Sequence, residues 1–324
     1  MKLLIKKIDN DGRLKLIADF VTTKWDFAVV DSDNRPALAA ALQTADAMIS
    51  MDWPADMPTA PSLKLLQLPG AGIDDIEFSA VPNQAAVCNV YEHEVGIAEY
   101  VMAAMLQWVV GIPSMDAALR RGDWTGSHIS GPRHRELLGQ TLGIVGYGRI
   151  GRETAKRAKA FGMRVIACSR TPREENDVAG RVMPLSELES VLTQADFILL
   201  ALPLVQGTKS IIDAKRLARM KSDGVIINVA RGALIDEEAL YLACRERRIG
   251  GAIIDTWYRY PKPDDPRGDP SAFPFRDLDN VIMTPHASAW SDGLLPRRNR
   301  IIAENLDRLA SGGPLLNVVH PPSH

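Results

Sequence analysis

A glycine-rich hexapeptide near the middle of the chain constrains the fold more than any other part of the sequence. It reads Gly146-Tyr147-Gly148-Arg149-Ile150-Gly151, and it lies between a short apolar run at 142–145 and a helical pattern at 153–160. In a strand–turn–helix unit, the first glycine allows a tight turn, the second lets the backbone approach a pyrophosphate, and the third permits close packing of helix on strand. The N–H groups at the start of the helix attract the anion. The sequence therefore predicts a dinucleotide site, set well inside the chain.

Short apolar strands alternate with helical segments in two separate series. The first series has strands at 27–30, 47–50 and 65–68 and a helix at 35–43. The second series has strands at 142–145, 164–168, 197–202, 225–229, 252–255 and 281–283, with helices at 187–194 and 237–246. This alternation is typical of α/β proteins, and it predicts two doubly wound parallel sheets.

The last helical pattern, at 296–309, is too short to form a domain of its own. We therefore expect it to pack back on the first series and to enclose the second. The predicted domains are a discontinuous substrate domain, 1–95 with 290–324, and a Rossmann nucleotide-binding domain, 96–289. Between them, the apolar segment 95–112 is interrupted by Glu99 and Gln107 and has helical periodicity, which predicts a buried helix and not a membrane span.

Composition excludes several other classes of protein. With 324 residues, 46% of them hydrophobic, and a net charge of −2, the chain is an ordinary globular protein without a basic nucleic-acid footprint. Its densest basic cluster, 297–300, is interpreted as the solvated start of a helix. Three scattered cysteines provide neither a disulfide framework nor a metal site, and the first residues lack the features of a signal peptide. We expect a cytoplasmic protein with no nucleic-acid or membrane partner.

Five short motifs, taken in order, give the sequence a specific resemblance. They are GAGID at 70–74, the hexapeptide at 146–151, NVARG at 228–232, DEEAL at 236–240 and TPH at 284–286. Together they resemble the D-isomer-specific 2-hydroxyacid dehydrogenase family, in particular NADP-preferring glyoxylate and hydroxypyruvate reductases, over nearly the whole chain. The resemblance implies a flavodoxin-like substrate domain with an inserted Rossmann domain, and a cleft in which a nicotinamide meets a 2-oxo or D-2-hydroxy acid. It also implies a homodimer built through the nucleotide domain, with the helix at 95–112 involved.

Hydride transfer to a 2-oxo acid needs a cation for the substrate oxygens and a proton donor. Arg231 follows the strand at 225–229 and His286 follows the strand at 281–283, both at the edge where parallel sheets bind ligands. A guanidinium grips a carboxylate through two hydrogen bonds, and a histidine exchanges protons near neutral pH. The Gly70-Ala71-Gly72 segment presents N–H groups to the substrate carboxylate, or forms a plain turn.

The resemblance assigns the remaining site residues by position. The substrate contacts that it implies are Ala71, Gly72, Tyr91 and Trp290. The cofactor contacts that it implies are Gly146, Tyr147, Gly148, Arg149, Ile150, Gly151, Ser169, Arg170, Thr171, Leu202, Pro203, Thr208, Val229, Ala230, Arg231, Asp255 and His286. Asp255 alternatively caps a turn. Aromatic residues near the catalytic segments, Trp257, Tyr258 and Trp290, either line the substrate pocket or pack at the hinge.

The first departure from the family concerns the partner of the catalytic histidine. Most members carry a glutamate that pairs with the histidine and raises its pKa, and Tyr260 stands at that place here. A phenol orients an imidazole but cannot stabilise its cation with a full charge, so we expect a lower pKa for His286. Alternatively, an aspartate of the proline-rich loop at 261–274 (Asp264, Asp265 or Asp269) reaches the histidine.

The second departure concerns the cofactor. NAD-preferring Rossmann domains carry an acid at the end of the second strand, bonded to the ribose hydroxyls. In this chain that strand ends in Ser169-Arg170-Thr171, with Arg173 close behind. Loss of the carboxylate removes repulsion of a 2′-phosphate, and Arg170 provides a bidentate partner for it. We predict NADP(H) over NAD(H), unless Arg170 is only an exposed loop residue.

The sequence leaves the acid itself open. Glyoxylate, hydroxypyruvate and a bulkier acid such as phenylpyruvate all fit the motifs. Two alternative functions also stay open, a cofactor-sensing interaction protein resembling the transcriptional co-repressors of this fold, and a formate-type dehydrogenase, because that branch also lacks the glutamate. The presence of both Arg231 and His286 favours the enzyme.

Overall fold

The computed structural model describes residues 1–6, 13–31, 33–129, 131–174, 179–262 and 265–322. The strands are β1 (Lys2–Lys6), β2 (Asp26–Val30), β3 (Ala47–Ile49), β4 (Leu65–Gln67), β5 (Ala86–Cys88), β6 (Thr141–Val145), β7 (Arg164–Ser169), β8 (Arg173–Glu174), β9 (Arg181–Pro184), β10 (Phe197–Leu200), β11 (Val225–Asn228), β12 (Gly251–Ile254), β13 (Val281–Met283) and β14 (Val318–His320). The helices are α1 (Arg13–Phe20), α2 (Arg35–Leu42), α3 (Glu94–Val110), α4 (Ile112–Arg120), α5 (Arg149–Ala160), α6 (Leu188–Gln194), α7 (Ala214–Leu217), α8 (Glu237–Arg245) and α9 (Leu294–Ser311).

The chain divides into two compact units, 1–92 with 291–324 and 93–290. The domains predicted from the sequence are 1–95 with 290–324 and 96–289. The boundaries therefore differ by three residues at the first crossing (95 against 92) and by one at the second (290 against 291). Each unit has its own sheet and its own buried core.

The sheet of the first unit has the strand order β2-β1-β3-β4-β5-β14. Its first five strands are parallel, and β14 pairs with β5 in the antiparallel sense. Alternate side chains of the strands enter cores on opposite faces, so Leu4 and Met48 pack with α2 while Leu3 and Ile49 pack with α9. The result is the doubly wound, flavodoxin-like order expected from the sequence.

The sheet of the second unit has the order β13-β12-β11-β10-β6-β7-β9-β8. It is parallel except for β8, which runs antiparallel to β9. The strands β6, β10, β11 and β12 are buried along their whole length because helices cover both faces. The strand order reverses at β6, which makes the carboxyl end of β6 the position where a doubly wound sheet binds its ligand.

The predicted elements agree in type with those of the structure, and the bounds need corrections. The helix expected at 153–160 begins at Arg149, directly after the hexapeptide, and the strand expected at 197–202 ends at Leu200. The segment 261–274 is not wholly a surface loop, because Ser271 is buried and its hydroxyl donates to the Glu237 carboxylate at 2.7 Å. The short strands β1, β5, β8, β9 and β14 were not predicted.

The apolar segment that precedes the hexapeptide forms the two helices α3 and α4. Buried residues of α3, among them Val101 and Met105, share a core with Ala155 of α5. Within the described residues, no single helix is long and apolar enough to cross a membrane. Helices α3 and α4 together reach the length and apolar composition of a membrane span, but the pair is bent by 53°. Helix α4 leaves Ile112, Met115 and Leu119 exposed, and the homodimer stays a prediction.

Candidate active site

The three glycines of the hexapeptide have three different structural roles. Gly146 has φ +100°, and a Cβ there would lie 2.5 Å from the carbonyl oxygen of Ala201. A Cβ on Gly151 would lie 2.6 Å from the Gly146 carbonyl oxygen, so this glycine permits close packing of α5 on β6. At Gly148 a Cβ would meet no atom within 4 Å, so the lack of a side chain there avoids no clash within the protein. It leaves open space in front of the first turn of α5, which fits a pyrophosphate on the helix N-terminus.

A cavity of about 200 Å³ opens at this end of the sheet. It is lined by nine residues predicted to bind the cofactor, Gly146, Tyr147, Gly148, Ser169, Arg170, Thr171, Leu202, Pro203 and Thr208. The lining also includes Arg173, Leu185 and Ala201, which were not among the predicted cofactor contacts. The other predicted cofactor residues, Arg149, Ile150, Gly151, Val229, Ala230, Arg231, Asp255 and His286, lie outside this lining. Thr208 is buried and holds the turn itself, because its hydroxyl accepts from the Val205 N–H at 2.8 Å.

The end of β7 presents arginines where an NAD-preferring domain carries an acid. Ser169 donates its hydroxyl to the Thr171 carbonyl at 2.7 Å, which closes the turn, and Arg170 is exposed beside it. Arg173 is fixed by a hydrogen bond from Nη2 to the Tyr147 carbonyl at 2.7 Å, and its guanidinium lies 5.9 Å from the centroid of the Tyr147 ring. One exposed and one hydrogen-bonded cation therefore flank this end of the cavity.

A buried asparagine shapes the turn that carries Arg231. Asn228, at the end of β11, donates to the Arg231 carbonyl at 2.9 Å and accepts from the Ala230 N–H at 3.1 Å. Gly232 comes next, and any Cβ there would overlap the carbonyl of Trp257. Arg231 itself is half-buried, with Nη1 donating to the Ala230 carbonyl at 2.8 Å. The NVARG motif thus brings the arginine close to the segment that follows β12.

His286 lies on a strained loop that Asp255 holds in place. The φ angle of His286 is +58°, in the left-handed region that non-glycine residues seldom occupy. Asp255 is fully buried and accepts from Thr284 Oγ1 at 2.6 Å, from the Ala287 N–H at 2.8 Å and from the Ser288 N–H at 3.0 Å. These bonds fix the backbone on both sides of the histidine, so Asp255 acts here as a turn-stabilising carboxylate.

A second set of bonds braces the same loop from its other side. The hydroxyl of Thr284 donates to Asp255, so it accepts the 2.7 Å hydrogen bond from the hydroxyl of Tyr100 on α3. The indole of Trp257 donates to the Thr284 carbonyl at 2.8 Å and packs edge-on against Phe275. Trp257 is buried, so its aromatic ring belongs to the core and not to a pocket lining. Trp290, by contrast, is 65% exposed.

Tyr260 contacts His286 through its ring and not through its hydroxyl. The ring centroids lie 5.5 Å apart with the planes tilted by 48°, and the Tyr260 oxygen accepts from the Trp257 N–H at 3.1 Å. Desolvation by the surrounding protein lowers the pKa of His286, Asp255 opposes this effect, and the charge of Arg231 adds to it. Burial also raises the pKa of Tyr260, which keeps the phenol neutral. The histidine thus has no charged hydrogen-bond partner among the described residues.

The two described candidate aspartates of the 261–274 loop, Asp265 and Asp269, have other partners. Asp269 pairs with Arg276, and Asp265 accepts from the Arg267 N–H at 3.3 Å. The third candidate, Asp264, lies outside the described residues. The described part of the loop therefore favours Tyr260 as the neighbour of the histidine.

Replacing Tyr260 with glutamate is expected to raise the pKa of His286 by about one unit or more, because an opposite charge within hydrogen-bonding reach favours the imidazolium. NMR titration of the His286 ring measures this directly, with wild-type protein expected below the ordinary histidine value of about 6.5. Tyr260→Phe is the matched control, since it removes the hydroxyl without adding charge. A wild-type pKa above the ordinary value, or no difference between the glutamate and phenylalanine variants, would contradict the prediction.

In the first unit, the turn after β4 is tied to the segment after β5. The Val90 N–H donates to the Gly70 carbonyl at 3.1 Å, and Asn89 Nδ2 donates to the Ala71 carbonyl at 3.0 Å. These bonds use the carbonyls of the turn, and in the described part of the chain the N–H groups of Ala71 and Gly72 have no protein acceptor. Two adjacent donors of this kind suit an anion.

Sequence reasoning missed a pair of arginines near this turn. Arg297 donates to the Glu92 carbonyl at 3.2 Å, and Arg298 donates from Nε to the Tyr91 carbonyl at 2.9 Å. Both are half-buried, so the interpretation of 297–300 as a solvated helix start is wrong for them and fits only Arg300, which is exposed. A run of basic residues at a helix start gives no local signal that two of them bind a distant segment.

Comparisons with known proteins agree with this geometry. Residues 102–288 match the family described as "D-isomer specific 2-hydroxyacid dehydrogenase, NAD binding domain". The chain is 36% identical over 267 residues to a D-3-phosphoglycerate dehydrogenase of Methanocaldococcus jannaschii, a match that covers 82% of this chain and 49% of that protein. The chain thus spans about half the length of that relative.

Two further similarities cover most of both proteins. The chain is 34% identical over 260 residues to a glycerate dehydrogenase of Methylorubrum extorquens, which is 78% of each chain. The solved structure of a 2-hydroxyacid dehydrogenase from Ketogulonicigenium vulgare Y25 superposes with a TM-score of 0.82 at 25% identity, over 99% of this chain and 98% of that one.

Proposed function

The chain belongs to the D-isomer-specific 2-hydroxyacid dehydrogenase family, and on that premise we propose that it transfers hydride between NADP(H) and a 2-oxo or D-2-hydroxy acid. The observation that carries this proposal is the presence of Arg231 and His286 at one edge of the sheet of a single unit. The charge of the arginine acts on the histidine, and the two residues follow β11 and β13, which lie on either side of β12 in the same parallel sheet. A cation and a proton donor at one sheet edge are what reduction of a carbonyl beside a carboxylate requires.

Each residue has a separate part in the proposed reaction. Arg231 binds the carboxylate and polarises the carbonyl oxygen, which becomes the alkoxide as hydride arrives. His286 donates a proton to that oxygen in reduction and removes it in oxidation. The bound nicotinamide supplies or accepts the hydride. Asp255 and Thr284 act as positioning residues, because they hold the loop of His286 without touching the reacting atoms.

The N–H groups of Ala71 and Gly72 are proposed to bind the substrate carboxylate. The carbonyls of Gly70 and Ala71 accept from Val90 and Asn89, and these bonds keep the turn in one conformation before the acid arrives. A preformed turn reduces the entropic cost of binding. Tyr91 is held beside the turn through its backbone carbonyl, which supports the predicted contact with the substrate.

The proposed preference for NADP(H) rests on the end of β7. An acid there would repel a 2′-phosphate, whereas the hydroxyl of Ser169 carries no charge and does not. Arg170 is exposed at the lining of the cavity, and Arg173, held by the Tyr147 carbonyl, adds positive charge at the same edge. Two cations, with no carboxylate among the described residues of this lining, favour the phosphorylated cofactor.

A panel of 2-oxo acids assayed with NADPH and NADH in parallel tests both parts of the proposal. Turnover of at least one acid is expected, with a KM about tenfold lower for NADPH than for NADH, since one charge-assisted hydrogen bond supplies a factor of this size. Arg170→Ala is expected to raise the KM for NADPH about tenfold and to leave that for NADH nearly unchanged. Arg164→Ala, at the opposite, exposed end of β7, is the matched control. Equal KM values for the two cofactors would refute the preference, and no turnover of any acid would refute the function.

A further inference from the structure

The first two carboxylates of the DEEAL motif at 236–240, which the proposed reaction leaves unexplained, bind different partners. Asp236 is the N-cap of α8, and its carboxylate accepts from a backbone N–H of the first helical turn at 2.9 Å. Glu237 binds another segment, because its Oε1 accepts from the Ser271 hydroxyl and from the Ala272 N–H, both at 2.7 Å. The first carboxylate therefore stabilises the helix, and the second ties α8 to the far end of the loop that follows β12.

The tied end of this loop also packs against α8. The Ser271 hydroxyl accepts from the Phe273 N–H at 3.0 Å, which closes a short turn. The ring of Phe273 stacks on Tyr241 of α8 with the centroids 5.3 Å apart, and Phe275 meets Tyr241 edge-on at 5.5 Å. Bonds to a carboxylate and contacts between rings thus hold the residues 271–275, which we call the anchor segment.

The near end of the loop carries Tyr260, and the anchor segment reaches it through the backbone. The Arg259 N–H donates to the carbonyl of Pro270, directly before the anchor segment, at 3.0 Å. Tyr260 is the next residue, its hydroxyl accepts from the Trp257 N–H at 3.1 Å, and its ring centroid lies 5.5 Å from that of His286. The bond of Arg259 depends on where the anchor segment lies, so the carboxylate on α8 can act on the histidine along this path.

We propose that Glu237 is a positioning residue, which keeps the Tyr260 ring against His286 by fixing the anchor segment to α8. The inference rests on the proposed function, in which His286 is the acid–base group of the reaction. All the residues on the path belong to the second unit. A ring held beside the histidine keeps water from that side and limits the orientations of the imidazole, and a general acid must keep one orientation towards the substrate oxygen.

The groups around His286 set the direction of the expected change. Desolvation lowers its pKa, the charge of Asp255 raises it, and the charge of Arg231 lowers it. In Glu237→Ala the anchor segment loses its two bonds to the carboxylate, so the Tyr260 ring is no longer held and water reaches the imidazole. Asp255 and Arg231 are held by other bonds, so their effects remain. The pKa of His286 is therefore expected to rise towards the ordinary value of about 6.5.

NMR titration of the His286 ring and the pH profile of kcat/KM for reduction test the proposal. Glu237→Ala is expected to raise both midpoints and to lower kcat roughly 10- to 100-fold, because a misplaced catalytic group loses rate. Glu237→Gln keeps an acceptor oxygen for the loop and is expected to restore most of both properties. Glu238→Ala is the matched control, since Glu238 is the next residue of the same helix and is exposed, and it should behave as wild type.

A double variant tests whether Glu237 acts through the tyrosine. Tyr260→Ala alone is expected to raise the pKa of His286 in the same direction as Glu237→Ala, and the two changes together should raise it no further than Tyr260→Ala does. Thermal unfolding verifies that each variant is folded. If Glu237→Ala does not fold, Ser271→Ala replaces it, since this change removes one of the two donors and should shift the pKa in the same direction by a smaller amount.

The outcomes separate this inference from the proposed function. A folded Glu237→Ala variant with the wild-type pKa of His286 overturns the inference, and so does an equal shift in Glu238→Ala. Additive shifts in the double variant also overturn it, because they mean that Glu237 acts on the histidine by another route. The NMR titration needs no turnover, so the predicted shifts without reduction of any 2-oxo acid would refute the function and leave the positioning of the Tyr260 ring established.

Discussion

His286→Asn is expected to lower kcat for reduction by about 10²- to 10⁴-fold, the usual contribution of a positioned general acid. Asparagine is the suitable replacement because His286 has a φ of +58°, and asparagine tolerates the left-handed region better than most residues. The bonds of Asp255 go to Thr284, Ala287 and Ser288, so the loop keeps its supports in the variant. Steady-state kinetics with the best acid of the panel measures the effect, and the dissociation constant of NADPH is the control.

The pH dependence of kcat/KM tests whether His286 is the proton donor in reduction. Reduction needs the imidazolium, and desolvation lowers the pKa of His286, so kcat/KM for reduction is expected to fall as pH rises through a midpoint below about 6.5. Oxidation needs the neutral ring and should rise over the same interval. The titration should vanish in His286→Asn. A variant that keeps more than a tenth of the wild-type kcat, or a wild-type profile for reduction that is flat into alkaline pH, would exclude His286 as the acid.

The nucleotide half of the site could be predicted because its signals are local. In the hexapeptide at 146–151, the spacing of the three glycines is itself the signal, and the strand and the helix that it joins are adjacent in the sequence. Arg231 and His286 were predicted for a related reason, since each follows an apolar strand of a parallel sheet. All such strands end at one edge, so their order along the chain is enough to group the residues that follow them.

Contacts between distant segments are what the sequence does not show. Asp255 holds backbone groups about thirty residues away, and Arg298 reaches Tyr91 across more than two hundred. No spacing rule links such pairs, because the sheet and the helix that bring them together are set by the whole fold. The three-residue strand β14 was missed for a similar reason, since its pairing with β5 is decided by where α9 ends and not by any periodicity of its own.

The turn around Arg231 shows how the two kinds of information combine. The sequence identifies the arginine, but the structure explains its neighbours: Asn228 binds both sides of the turn, and Gly232 is required because the Trp257 carbonyl occupies the space of a side chain. The NVARG motif therefore holds the turn from which the Arg231 guanidinium extends. It follows that a change limited to the Arg231 side chain leaves the turn intact, since the bonds from Asn228 go to backbone atoms.

Arg231→Met is accordingly expected to lower kcat/KM about 10²- to 10³-fold, because truncating one partner of a charged, hydrogen-bonded pair removes both the binding of the carboxylate and the polarisation of the carbonyl. Arg231→Lys keeps the charge but loses the planar fork, so its activity should lie between that of the methionine variant and wild type. Steady-state kinetics on the same acid gives the loss. The pKa of His286, measured by NMR, should rise in the methionine variant, since the arginine charge lowers it in the wild type. A methionine variant with unchanged kcat/KM would remove Arg231 from the acid site, and an unchanged histidine pKa would show that the two charges do not interact.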